Sequence, residues 1–313
     1  SPATSPTVRR YHAMAYDSLR GRTVLSGGDG GVTSPRDLVE WDGITWTERD
    51  ARSVPCINYP TMAYDSARGV TVMFGYPCLY TGSAPYYTWE WDGSSGTLRS
   101  TSGPALLSRA MVYDIARGVT VMFGQREGGS VPGETWEWDG ANWQQRGTVG
   151  PTPRSGRAMT YDSARGVTVL FGSSDADGLN GETWEWDGAS WTMRSTAVPA
   201  PQQNHAMAYD SARGRTVLFG QRNSSASYGE TWEWDGTDWT LQSTGGPWAR
   251  SSHAMAYDSG RGVTVLFGGA SAAGPLGDTW EWNGTEWTLR AESGPSARAF
   301  HAMTFDSGRG VTV

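Results

Sequence analysis

The string HAMAYDS at 12–18 returns unchanged at 205–211 and 253–259. Close variants are TMAYDS at 61–66, AMVYDI at 110–115, AMTYDS at 158–163 and HAMTFDS at 301–307. The aspartate in each falls at 17, 65, 114, 162, 210, 258 and 306, a period of 48 residues, once 49. A period of this length marks one supersecondary unit written many times, each unit burying its apolar face only against its neighbours. Repeats start near 9, 57, 106, 154, 202, 250 and 298, the last one partial, and make a single domain over 1–313. Residues 1–8 read as a Ser/Thr/Pro linker of the kind that follows a removed leader.

Each unit reads as four short strands. HAMAYD alternates small and large residues, and TVLFG is the continuous apolar run of a strand covered on both faces. TWEWD puts two tryptophans on one face, and WTMR is a short outer strand. The turns DSARG and DG-x-x supply Asp and Gly for tight reversals. Nothing has helical period. The expected fold class is therefore all-β.

Four-stranded units of this period resemble the kelch repeat, a β-propeller family. The matching features are an Arg before the first strand (Arg9, Arg154, Arg250, Arg298), an apolar strand ending in Gly, the pair Trp138-Asp139, and a closing Trp such as Trp143. The resemblance covers essentially the whole chain. Kelch units usually end the second strand in Gly-Gly, which only Gly27-Gly28 and Gly268-Gly269 do here. WD-repeat propellers have a shorter period and a Gly-His opening that is missing. The inner hairpin occurs seven times and the outer pair six times. No outer strands precede residue 12, so neither end supplies the missing pair. A seven-bladed ring with an incomplete last blade is expected, with six blades as the alternative, and a native chain that runs on past Val313 is expected with it.

Net charge is −7 and all 25 basic residues are arginine, which argues against nucleic acid and against a polybasic membrane anchor. No apolar run reaches the ~20 residues of a membrane helix, so no membrane insertion is expected.

Sixteen of the 17 tryptophans sit at repeat positions and read as packing between blades. Trp248, in a link between units, has no counterpart and is a candidate exposed contact. The glutamates at 40, 90, 137, 185, 233 and 281 recur in every full unit. An active site is needed once and a structural ion pair in each blade, so they pair with the repeated arginines instead of forming a hydrolytic acid pair. His12, His205, His253 and His301 share one repeat position; they form an arc that would serve a transition metal, or else they bond neighbouring backbone as Arg109 and Arg157 do. Asp175, Asp177 and Asn180 are oxygen donors in a loop of calcium type that lacks the full ligand pattern. No cofactor is expected, with calcium the residual candidate.

Residues 76–87, YPCLYTGSAPYY, break from the sibling loops and bring Tyr76, Tyr80, Tyr86 and Tyr87 to the variable face. Tyrosine gives large contact area at low entropic cost, so these four and Trp248 are the candidate ligand-binding residues. The other reading packs them onto their own blade, where Gly96 replaces the outer Trp. Hairpin geometry about Asp65–Gly69 pairs residues whose numbers sum to roughly 134, which sets Cys56 opposite Cys78 within disulfide reach. A disulfide there implies an extracellular, periplasmic or cell-envelope location. The function expected is non-enzymatic: a binding or scaffold module for a protein or glycan. The alternatives are a structural subunit of an envelope assembly or filament, joined through the C-terminal edge hairpin, and a propeller hydrolase or metal-dependent oxidase.

Overall fold

The computed structural model describes residues 6–30, 37–49, 57–77, 86–126, 133–147, 150–152, 156–175, 178–196, 198–199, 204–220 and 228–313. It is a β-propeller of four-stranded antiparallel blades, with no helix among the described residues. Six sheets have the simple order first-second-third-fourth strand. Blade 1 is Ala13–Asp17, Arg22–Ser26, Leu38–Trp41 and Trp46–Arg49; blade 2 is Ile57–Asp65, Val70–Pro77, Tyr87–Trp91 and Gly96–Ser100. Blades 3 to 6 begin at Leu106–Asp114, Ala158–Asp162, Ala206–Asp210 and Ala254–Asp258. First strands of successive blades lie against one another, which puts them innermost.

The count of complete blades is six, the alternative of the sequence reading. The last repeat forms a separate two-stranded sheet, Phe305–Asp306 paired with Val311–Thr312. It lies against the first strand of blade 6. It also bonds blade 1: Gly308 N donates to Tyr16 Oη (2.9 Å) and Arg309 Nη2 to Gly21 O (2.6 Å). The same tyrosine contact joins earlier blades, where Leu19 N donates to Tyr64 Oη and Ala116 N to Tyr161 Oη, each at 3.3 Å.

The repeated residues explain themselves as contacts between neighbours. Trp91, Trp138, Trp186, Trp234 and Trp282 are at most 1% exposed. Each indole Nε1–H donates to the glutamate of the preceding blade; the Trp186–Glu137 bond is 3.0 Å and the Trp234–Glu185 bond 2.8 Å. That glutamate also takes an arginine from its own first turn, as in Arg165 to Glu185 (2.5 Å), and one from its outer strand, as in Arg194 to Glu185 (2.9 Å). A buried carboxylate is tolerable here because its oxygens are bonded to charged or N–H donors. Fourth-strand tryptophans make a second clasp: Trp143 Nε1 donates to Thr88 Oγ1 (2.6 Å) and Trp239 Nε1 to Thr183 Oγ1 (2.7 Å). The Asp-Gly turns need glycine twice. Gly140 has φ +96°, and a Cβ there would meet the Arg68 guanidinium of the neighbouring blade at 2.7 Å.

Candidate functional site on the loop face

One face of the ring carries the starts of the first strands, the ends of the second and the starts of the third. At its centre one repeat position, two residues before the first strand in most repeats and at the bulge of Ile57–Asp65 in blade 2, is left-handed: Tyr11 (φ 59°), Tyr59 (44°), Gly156 (72°), Asn204 (50°), Ser252 (56°) and Phe300 (57°). Backbone bonds run from one to the next: Ser252 N to Asn204 O (2.8 Å), Phe300 N to Ser252 O (2.9 Å) and Tyr11 N to Phe300 O (2.8 Å). Gly and Asn tolerate this conformation better than a bulky side chain, for which it costs on the order of 1–2 kcal/mol. Yet three adjacent repeats put an aromatic there.

Those aromatics form a row. Ring centroids are 4.9 Å apart for Tyr11–Phe300, 5.6 Å for Tyr11–Tyr59 and 6.1 Å for Tyr59–Tyr76. Tyr59 is 50% exposed and Phe300 38%. Arg109 secures the middle of the row from blade 3, donating through Nη2 to Tyr59 O (2.6 Å). Burial pushes its guanidinium down to about 10, an effect that nearby Tyr86 and Tyr76 oppose. A cavity of about 230 Å3 opens beside Tyr59, bounded by Gly28, Asp29 and Asn58. Arg10 bonds one of these residues, donating to Asp29 Oδ2 (3.1 and 3.2 Å), and lies 5.3 Å from the Tyr11 ring centroid.

A second exposed aromatic pair lies across the face. Trp248 (53% exposed) stacks on Tyr228 (42%) at 4.9 Å and 13°. A backbone bridge joins the two residues. Beneath, Arg250 is fully buried; it donates to Trp248 O (3.0 Å) and forks onto Asp278 (2.6 and 2.8 Å).

The residues singled out in the sequence divide among several environments. Tyr76 sits at the end of its strand opposite Asn58, within the aromatic row. Tyr86 is only 4% exposed: it stacks on Phe74 (5.6 Å, 4°) under the Arg109 guanidinium. It stands where blades 3 and 5 have Gly133 and Gly229, each closed by the equivalent phenylalanine. The tyrosine therefore belongs to the blade interior. Tyr87 faces Gly75 in the third strand and is partly exposed. Tyr80, Cys56, Cys78 and Asp177 lie outside the described residues, as do the side chains of Asp175 and Asn180. The backbone of the last two lies on facing strands of one hairpin, Asp175 opposite Gly178 and Asn180 opposite Ser173.

Three of the four histidines face the phenylalanine of the preceding blade, and the fourth, His12, accepts from Ala302 N through Nε2 (3.4 Å). His205 meets Phe171 at 5.1 Å, His253 meets Phe219 at 5.4 Å and His301 meets Phe267 at 5.3 Å, all edge-on. Arg109 over Phe74 (5.2 Å) and Arg157 over Phe123 (5.1 Å) fill the same position. Among the described residues no three His, Cys, Asp or Glu side chains converge as a metal shell. Burial, with Arg9 and His301 adding to it, holds His12 down to about 4. Burial and the Arg250 charge hold His253 at about 3, and burial with the Arg298 charge holds His301 at about 4.

Sequence reasoning passed over Tyr11, Tyr59, Phe300 and Tyr228. The available signal was the position just before each HAMAYD-type strand. It reads Tyr, Tyr, Ser, Gly, Asn, Ser, Phe across the seven repeats, and so divides into four consecutive small or polar residues and three aromatics. No protein-family model matches this chain, and no curated protein matches it.

Proposed function

We propose that this chain is a non-enzymatic binding module of kelch-like type that recognises a protein or glycan through its loop face. The supporting observation is the aromatic row Phe300–Tyr11–Tyr59–Tyr76, in which Phe300 and Tyr59 are exposed, Tyr11 and Tyr76 are half-buried, and the first three hold an unfavourable backbone conformation. Strain kept against local preference, with the Tyr59 and Phe300 side chains left exposed, fits a surface kept for contact better than one kept for stability. Trp248 and Tyr228 extend the apolar contact area across the face. The carboxylates of the fold are tied up between blades, which leaves the repeated glutamates without a hydrolytic role. Nucleic acid is a poor partner for a face whose Arg10 and Arg250 are each paired to an aspartate.

The finer architecture proposed is a ring of seven positions, the C-terminal hairpin occupying the seventh. The Gly308-to-Tyr16 bond repeats the contact made at the junctions of blades 1 to 4, and the Tyr11-to-Phe300 bond continues the backbone links that run from Asn204 through Ser252, and both favour it. The Cys56–Cys78 disulfide, and with it an extracellular or envelope location, remains the proposed pairing. The last described pair of that ladder is Ile57 opposite Pro77, and the two cysteines are the next residues outward along the chain.

Attachment to a larger assembly along the C-terminal hairpin is a second possibility with its own support. Glu281 Oε1 takes Arg261 but no tryptophan among the described residues, unlike its five counterparts. A glycan array and a panel of purified surface proteins, probed with wild type and with Trp248→Ala, test the main reading. Capture by the wild type, weakened in the variant or in substitutions of the Tyr59 row, is expected. Capture that survives all of them, or that needs the hairpin alone, would remove it.

A further inference from the structure

We infer that the cavity between blades 1 and 2, bounded by Gly28, Asp29, Asn58 and Tyr59, is a binding site for a single neutral pyranose ring; this rests on the loop face being a binding surface. The volume, about 230 Å3, lies below the roughly 300–1,000 Å3 of pockets that take drug-sized ligands, which suits one ring. The wall is a half-exposed tyrosine ring, and a sugar presents a C–H face able to lie against such a ring while its hydroxyls point elsewhere. The other residues supply those hydroxyls with partners. Asn58 carries an amide with both donors and an acceptor, and Asp29 with its bonded Arg10 sets carboxylate oxygens beside guanidinium N–H groups.

Charge selects against other ligands. Arg10 and Asp29 neutralise each other, so an anionic sugar or a phosphate finds no uncompensated cation here. Glycine contributes the space. Gly28 has φ +100°, and a Cβ there would lie 2.8 Å from Arg10 O, so the backbone approaches closely. The blade 6 counterpart, Gly269-Ala270, lacks the aspartate: Ala270 replaces Asp29 and Ser251 replaces Arg10 in the matching bridge. The polar set therefore occurs once in these two related blades. Tyr59 is held in place from both sides, by Arg109 on its carbonyl and by the rings of Tyr11 and Tyr76. A wall so fixed loses little freedom when a ligand lands on it.

The test is titration calorimetry, with saturation-transfer NMR, of the whole chain against the methyl glycosides of glucose, galactose, mannose and N-acetylglucosamine, and against adenosine. Millimolar binding of at least one glycoside is expected, as befits one small ring. Tyr59→Ala and Asn58→Ala should each weaken it at least tenfold, and Leu241→Ala, on the exposed outer strand Trp239–Ser243 of blade 5, should leave it unchanged. Tyr59→Asn, which installs the residue that blade 5 carries at this position, repeats the test where the alanine variant folds poorly. Absence of binding by every glycoside overturns the inference. So does binding indifferent to Tyr59 and Asn58, or tighter binding of adenosine. A chain that captures a protein or polymer through Trp248 and Phe300 but takes no glycoside loses only this cavity assignment; a chain whose loop face captures nothing loses the binding reading as well.

Discussion

Replacing Trp186 by phenylalanine removes one donor from a junction between blades and leaves the apolar contact largely in place. Trp186 is 1% exposed, and its Nε1–H bonds Glu137 Oε1 at 3.0 Å. A hydrogen bond to a charged group contributes about 1.5–3 kcal/mol. The smaller ring also gives up contact worth roughly one or two methylene groups, at about 0.8 kcal/mol each. The acceptor is not stranded, because Arg117 and Arg146 still hold Glu137. The expected loss is therefore about 2–4 kcal/mol, against about 3–5 kcal/mol or more for Trp186→Ala. Urea unfolding with an unchanged m-value measures it. A double-mutant cycle with Glu137→Gln, which removes the charge but keeps an acceptor oxygen, measures the charge-assisted part of the bond and should return a coupling of about 1–2 kcal/mol. Trp41 is the internal control: it is only partly buried and has no glutamate-bearing blade before it, so Trp41→Phe should cost less than about 1 kcal/mol. Equal losses at Trp41 and Trp186, or strict additivity in the cycle, would refute the view that Trp-to-Glu bonds tie the blades together.

Three further outcomes are expected. Intact mass before and after reduction with alkylation should reveal one Cys56–Cys78 disulfide in secreted material, and two thiols that alkylate in native unreduced protein would contradict it. Stability should fall on acidification. His12, His253 and His301 are held neutral when folded, at about 4, 3 and 4, against 6.5 ordinarily. Unfolded chains therefore bind more protons below pH 6.5, and the stabilisation present above that pH is lost toward the folded values. Between about pH 6.5 and 5 the loss should be on the order of 1–2 kcal/mol per histidine, and a flat denaturation midpoint over that window would contradict the burial described. Tyr16→Phe removes the acceptor for Gly308 N and should loosen the C-terminal hairpin, seen as faster amide exchange at 305–312 without a change in the blades; unchanged exchange would argue against the hairpin's place in the ring.

The repeat made the blades legible because each framework residue answers to a neighbour one period away. Trp186 finds Glu137, Arg165 finds Glu185, and Gly140 lies against Arg68, all at fixed sequence distance. The strand alternation and the Asp-Gly turns carried the rest. What the sequence could not show were contacts that follow no period. Trp248 read as exposed from its isolation, but its partner Tyr228 lies twenty residues away in a link of unrelated sequence. Tyr86 read as a surface tyrosine because it belongs to a divergent loop; the phenylalanine beneath that position decides its burial, and that is a tertiary fact. The aromatic row escaped notice because its members are single residues at the start of three different strands, joined only when the ring brings repeats 7, 1 and 2 together. Blade number was ambiguous for a similar reason: the last hairpin has no outer pair, and its relation to blade 1 shows only in tertiary bonds such as those to Tyr16 and Gly21.

The most direct measurement compares stability and capture in one triple variant, Tyr11→Asn, Tyr59→Asn and Phe300→Asn. Each substitution installs a residue that another repeat already carries at the same left-handed position. Relief of backbone strain should roughly offset the lost ring contacts, each worth about 0.5–1.5 kcal/mol, so the denaturation midpoint should move little. Capture of the glycan or protein ligand found for the wild type should be lost, since central aromatic contacts contribute about 2 kcal/mol or more apiece. Unchanged stability with lost capture is the predicted result. A large fall in stability, with capture intact in whatever remains folded, would make the row a packing feature and contradict its role as the binding surface.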